Sequence, residues 1–189
     1  IAEYIAQTRA WFYTLHVMSV GLFGTHTFEN AVTTGTILAE DGAKMSKSKK
    51  NYPDPTLLFE KYGVDALRFY LMGSVVMKAE NVNFSEEGVK EIYQKVVSTT
   101  WNVFSFYKLY VKGAPPATAP KPTHVMDKWI LSKLNTLIID VTGAMDGYDT
   151  THTCRLLVSF ITDLSTWYLR RSRDRIQADE KIGRASCRE

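Results

Sequence analysis

Four lysines fall within seven residues of the stretch GAKMSKSKKNYPDP, residues 42–55: Lys44, Lys47, Lys49 and Lys50. Met45, Ser46 and Ser48 are interleaved with them. A lysine ammonium is a compact point charge with three donors, so several on one loop can fold over a polyphosphate and follow it as it moves. Charge building on a departing phosphate is where such stabilisation lowers a barrier. Ser46 and Ser48 keep the loop small and polar. Met45 can plug into the domain surface and fix the loop's base. Tyr52, Pro53 and Pro55 stiffen its exit. A solvated basic loop, or a lysine-rich localisation or heparin-type patch, would show the same composition.

A second basic run holds Arg170, Arg171, Arg173 and Arg175 against one acid, Asp174. Leu157, Ile161, Leu164 and Tyr168 precede it at spacings of 4, 3 and 4. Continuing that apolar stripe lands on Arg171 and Arg175. A bundle core does not take guanidinium groups without partners. Either the helix outruns its core, or these arginines face a polar groove. Eight of the 23 basic residues thus lie in two short stretches, which favours two local anion sites over a uniformly basic surface.

Elements must hold these runs in place. Residues 2–23 predict a helix with Ile5, Trp11, Phe12, Leu15, Met18 and Leu22 on its apolar face. Residues 31–39, AVTTGTILA, predict a strand, and Asp41-Gly42 a tight turn. The lysine loop then hangs at the rim of a sheet. Asp54-Pro55 reads as an N-cap with proline at the first helical position, and Gly63 as the stop near Tyr62. Asp65 is expected to cap a second helix through Met72 and, with Arg68, to brace the segment behind the loop. Residues 73–84 show no clear period. Ser85 caps a long helix whose apolar face includes Val89, Ile92, Val96, Trp101 and Phe104. GAPPATAPKP, 113–122, predicts an extended linker. Helices over about 127–145 and 151–175 follow, joined by DGYDT, which suggests an antiparallel bundle.

The whole chain has 189 residues, 45% hydrophobic and 23% charged, with a mild net charge of +3. That is the composition of a globular protein. No apolar run approaches the roughly 20 residues that span a bilayer, and no signal-peptide pattern is present. Cys154 and Cys187 lie far apart, which suits a reducing cytosol. The four histidines make no ligand-spaced set with them, so no metal site is expected within the chain. The chain starts at Ile1 inside a patterned segment, which predicts a piece of a longer protein. The tail IGRASCRE, 182–189, continues no apolar period; it resembles a reading frame of a sequencing-library adapter and is expected to be non-native.

The order of residues in the loop says more than their composition. KMSKS, Lys44 to Ser48, matches in full the nucleotide loop of class I aminoacyl-tRNA synthetases. KMSKSKKNYPDP is similar to the isoleucyl form and continues into YGVDALRFYLMGS, 62–74. QTRAWFYTLH, Gln7 to His16, resembles the isoleucyl segment before the same strand. NFSEEGV, WNVFSFYKLY and WYLRRSRDR (167–175) also resemble it, in the family's order. The resemblance covers about residues 1–181.

The resemblance implies an α/β plus all-α chain. Residues 1–84 would be the C-terminal remainder of a Rossmann-type catalytic domain. Residues 85–181 would be an anticodon-binding-type α-helical bundle, with a linker over 113–126. It implies ATP-dependent activation of isoleucine and transfer of the acyl group to tRNA(Ile) in the cytoplasm, with ATP entering as its Mg2+ complex. Lys47 matches the second lysine of the loop, a phosphate contact that stabilises the transition state, and Lys44 the first, a supporting contact. Ser46 and Ser48 complete that loop. Glu3 and Gln7 align with adenylate contacts, and Trp11 with a wall of the isoleucine pocket. The family commonly has Asp where this chain has Ala6 and Gly where it has Ala10, on the ribose side. Arg170, Arg171, Arg173 and Arg175 would contact tRNA phosphates, which position rather than specify. The His-Ile-Gly-His motif and the editing insertion do not occur in the sequence, so the chain alone is expected to be inactive. A valyl- or leucyl-type relative shares the lysine loop, and a non-catalytic helical RNA-binding module remains a further alternative.

Overall fold

The computed structural model describes residues 1–46, 48, 49, 51–110 and 122–185, with side chains through Ala178. The chain opens with strand β1, Ala2–Tyr4, not with a helix. A 3-10 turn, Ile5–Arg9, leads into α1, Trp11–Phe23. The expected helix over 2–23 is therefore shorter by nine residues at its start. Backbone pairing with a distant strand takes residues 2–4: β1 runs parallel to β2, Val32–Thr34, with Glu3 opposite Thr33.

The strand expected over 31–39 is also two strands. β2 ends at Thr34, and β3 is Ile37–Leu38. β3 pairs in parallel with β4, Val82–Asn83, inside a segment whose sequence shows no period. Two residues are too few to alternate. Gly35 makes the break possible: its N–H donates to the Val76 carbonyl at 2.7 Å, and a Cβ there would lie 1.9 Å from the Glu80 carbonyl oxygen.

α2, Pro55–Tyr62, begins as read, with the Asp54 carboxylate accepting from the Thr56 N–H at 2.9 Å and Pro55 at its first position. Gly63 stops it with φ of 80°. The next helix, α3, Val64–Gly73, starts directly after this glycine, so Asp65 lies in its first turn and is not its cap. The Asp65–Arg68 pair spans 4.0 Å between two exposed side chains and contributes little. Leu58, Tyr62, Ala66, Leu67, Phe84 and Val89 form the buried core that joins α2 and α3 to α4, Glu86–Ile92. The Ser85 hydroxyl caps α4 by accepting from the Gly88 N–H.

α4 continues through a π-helical turn, Tyr93–Ser98, into α5, Thr99–Tyr110. The 113–121 part of the expected linker lies outside the described residues. α6, Val125–Asp146, is followed after Gly147–Asp149 by α7, Thr150–Thr162. Asp149 caps α7 by accepting from the His152 N–H at 2.9 Å, which holds its carboxyl below the usual range. α7 passes through a second π-helical turn, Asp163–Leu169, into α8, Arg170–Ala185. The helix thus runs past the boundary expected at residue 181. At that π-helical turn Thr162 and Thr166 donate to the Val158 and Thr162 carbonyls, competing with the regular ladder. α7 seats on the end of α3: the Thr151 hydroxyl donates to the Ser74 carbonyl, and Cys154 packs against Gly73. No described helix is long and apolar enough to cross a membrane.

Candidate functional site

The lysine loop leaves the carboxyl end of β3, the end of a parallel strand at which α/β sheets place ligands. Its entry is a tight turn. Gly42, at φ of 80°, donates to the Ala39 carbonyl at 2.9 Å, and Ala43 donates to the Asp41 carboxylate. Lys44 bridges back to Leu38 and is exposed. Met45 packs against the α2–α3 core, as its place among polar neighbours suggests. Asn51 closes the base: its side-chain oxygen accepts from the Ser46 N–H at 2.8 Å, and its amide donates to the Lys44 carbonyl at 3.1 Å. The hydroxyls of Ser46 and Ser48 lie 2.7 Å apart. Lys47 and Lys50 lie outside the described residues. The geometry is a basic loop pinned at both ends by backbone and core contacts.

Glu3 lies in β1, Gln7 in the 3-10 turn that follows, and Trp11 at the start of α1. Glu3 is exposed on the strand, and its carboxylate accepts from the Tyr4 N–H. The Gln7 side chain accepts from the Trp11 N–H at 3.2 Å and so holds the first residue of α1. Trp11 is 53% exposed while its neighbour Phe12 is buried, so Trp11 is not a core residue of this chain. The Tyr4 hydroxyl, 3.0 Å from that of Thr36, ties this group to the segment entering β3 and the lysine loop.

The arginine run divides. The inward stripe from Tyr168 continues to Ser172, 1% exposed, and then to Arg175, rather than through Arg171 as the spacing suggests. The π-helical turn at 163–169 changes the helical phase just before the run. Arg175 presents both terminal nitrogens to the Asp127 carboxylate, at 2.5 and 3.1 Å, and the Tyr168 hydroxyl donates to the same carboxylate at 2.9 Å. Burial alone would raise the Asp127 carboxyl, but these donors more than offset it and its pKa is lowered. Burial, and then the bond to Asp127, raise the Tyr168 phenol. The premise that Arg175 needs an anion from outside therefore fails, because α6 supplies one. Arg170, Arg171 and Arg173 are exposed. Arg171 stacks its guanidinium 4.4 Å from the Trp167 ring centre, and Arg173 lies 5.7 Å from that of Phe106.

Two family models match the chain: class I tRNA synthetases (I, L, M and V) over residues 1–83, and the anticodon-binding domain of tRNA ligases over residues 127–188. The isoleucine–tRNA ligase of Protochlamydia amoebophila is 41% identical over 184 residues, 96% of this chain and 18% of that protein. The chain belongs to the class I aminoacyl-tRNA synthetase family. The isoleucine–tRNA ligase of Bdellovibrio bacteriovorus is 45% identical over 176 residues, 92% of this chain and 17% of that protein. The chain thus spans under a fifth of the length of these synthetases. In fold it resembles a leucyl-tRNA synthetase from Agrobacterium radiobacter in a ternary complex with tRNA and LeuAMS, with a TM-score of 0.67, 18% identity, and coverage of 90% of this chain and 22% of that one.

Three residues of this synthetase chain escape the sequence reading. Asn51 follows the lysine run directly, and an asparagine before a Tyr-Pro pair was the available signal. Asp127 reads only as an acid in the first turn of a helix. Ser172 carries no signal among four arginines.

Proposed function

We propose that the chain is the lysine-loop and anticodon-domain portion of an isoleucyl-tRNA synthetase. One observation carries the reading: a loop whose sequence is KMSKS leaves the carboxyl end of a parallel strand, with Met45 on the core and Asn51 bonded to Ser46, in a chain whose close relatives are isoleucine–tRNA ligases. In that reaction the isoleucine carboxylate attacks the α-phosphorus of ATP, which enters as its Mg2+ complex. The bond to pyrophosphate breaks and isoleucyl-adenylate remains. A ribose hydroxyl of tRNA(Ile) then attacks the acyl carbon, and AMP leaves. Lys47 stabilises charge on the departing pyrophosphate, and Lys44 supports it from the loop's base. Glu3 and Gln7 hold the adenylate, and exposed Trp11 supplies a wall to isoleucine. Arg170, Arg171 and Arg173 meet tRNA phosphates, while Arg175 braces the helix that carries them. Residues 1–84 serve the cytoplasmic enzyme's catalytic side and 85–181 its tRNA side. Alone, the chain forms no adenylate.

The test is isoleucine-dependent pyrophosphate exchange in a full-length synthetase carrying this sequence. Lys47→Ala should cut the rate by about two to three orders of magnitude, the scale for one transition-state electrostatic contact, with little change in KM for isoleucine. Exchange at the wild-type rate removes the catalytic role of Lys47, and exchange driven by valine or leucine in place of isoleucine removes the substrate assignment.

A further inference from the structure

We propose that Asn51 is a positioning residue for adenylate formation, acting through the lysine loop whose backbone its side chain fixes. The proposal rests on the reading of that loop as the site for ATP phosphates and adds a residue outside the KMSKS sequence. The Asn51 side-chain oxygen accepts from the Ser46 N–H at 2.8 Å, and its amide nitrogen donates to the Lys44 carbonyl at 3.1 Å. One planar group thus holds the chain on both sides of Met45, whose side chain packs against the α2–α3 core. Lys44 is also bridged to Leu38 at the end of β3. Residues 44–46 are therefore fixed by a strand, by the core and by Asn51. Lys47 is the next residue in the chain. A clamp on the Ser46 peptide limits where an ammonium on the following residue can go. Both arms of Asn51 end on backbone, so it acts through the loop and not on the nucleotide.

The residue type suits the task. A carboxamide donates and accepts at once; an aspartate accepts but cannot donate, and a serine hydroxyl is a bond shorter. The contact also opposes electrostatic repulsion. Asn51 ties its own end of the basic run to Ser46, and Lys47, Lys49 and Lys50 lie between the two in sequence. Like charges so close along a chain repel and favour an open conformation. A loop drawn together before ATP arrives loses less freedom when the phosphates bind. It also presents its charge without rearrangement as the pyrophosphate departs.

The test uses a full-length synthetase carrying this sequence. Asn51→Ala should lower kcat for isoleucine-dependent pyrophosphate exchange roughly 10- to 100-fold, the scale for a displacement of about 1 Å, with KM for isoleucine unchanged. Asn51→Asp should fall as far, because its carboxylate keeps the Ser46 bond but turns an acceptor toward the Lys44 carbonyl. Urea midpoints of both should match wild type, since Leu38 and Met45 still hold the segment. In a Lys47→Ala background, Asn51→Ala should cost less than about threefold more, because residues that act as a unit are not additive. A full second loss in that background overturns the proposal, as does Asn51→Asp at the wild-type rate. A fall in kcat that tracks a lowered urea midpoint overturns it too, since Asn51 then serves only the fold. Wild-type exchange by Asn51→Ala beside an impaired Lys47→Ala overturns the proposal alone. Wild-type exchange by Lys47→Ala overturns the catalytic reading of the loop, and the proposal with it.

Discussion

Arg171 and Arg175 lie one helical turn apart and face different surroundings. Arg175 spends its planar fork on Asp127, an arrangement that aligns two charged hydrogen bonds at once. Arg171 lies on an indole and is exposed. The pair Asp127–Arg175 is only partly buried, with 23% and 36% of the side chains exposed. Its loss is therefore milder than that of a fully buried pair. Asp127→Asn is expected to lower stability by about 2 kcal/mol, the scale for hydrogen bonds to charged groups, as read from urea midpoints at neutral pH. The carboxyl of Asp127 is held below its ordinary value in the folded state. Its contribution is then complete above the unfolded carboxylate pKa of about 4 and is lost as pH falls through the lowered native value. The gap between wild type and Asp127→Asn should accordingly narrow from pH 7 to pH 3. A gap that stays constant would show that Asp127 contributes through packing rather than charge. At this scale the sequence exposed both basic runs and the apolar neighbour Met45. It did not expose Asn51 or Asp127, whose partners lie 5 and 48 residues away along the chain.

Among elements, the helices with local start and stop signals are those legible in the sequence. Asp54-Pro55, Gly63 and Ser85 each act within a few residues, so their effect is encoded where it is felt. The strands are different. β1 and β4 are three and two residues long, and each exists because a distant segment offers its backbone. Gly35 is the point at which that pairing changes partners, with the Glu80 backbone too close for any side chain. Gly35→Ala should therefore cost about 3 kcal/mol, at the upper end for overpacking, because the obstacle is backbone and cannot rotate away. Denaturant unfolding measures this, and a loss below 1 kcal/mol would mean that the β2–β3 break relaxes easily. The π-helical turns belong to the same class of feature. The threonine back-bonds at Thr162 and Thr166 are local and lie at the π-helical turn that precedes the arginine run, where the helical phase changes.

Across the whole molecule, apolar surface is distributed unevenly. The α2–α4 core is closed, but α1 buries only Phe12. Tyr13, Met18, Leu22 and Phe23 on that helix are 64%, 55%, 70% and 75% exposed. A surface of this kind on an isolated chain binds apolar dyes and promotes self-association. The 189-residue chain by itself should therefore enhance ANS fluorescence strongly and sediment as concentration-dependent oligomers. Replacing Met18, Leu22 and Phe23 by Gln should reduce both while leaving the melting temperature unchanged, because these side chains bury little within the chain. A clear fall in melting temperature would show that α1 packs on its own chain in solution.

The order of residues alone determined the lysine loop, its stiff exit, the arginine run and the caps of α2 and α4, since each is a short-range pattern of charge, size and backbone freedom. It also carried the synthetase resemblance, which is a property of order rather than of shape. Tertiary structure decided what depends on distant partners. It placed residues 2–4 in a parallel strand and divided 31–39 at Gly35. It set Asn51 under the loop and turned Arg175 toward Asp127 while leaving Arg171 on Trp167. For the strands and for Arg175 the physical reason is that a hydrogen bond or ion pair between residues far apart in sequence leaves no periodic trace in either segment; Asn51 and Arg171 meet partners within seven residues, in a loop and beside a π-helical turn where no regular period predicts the pairing.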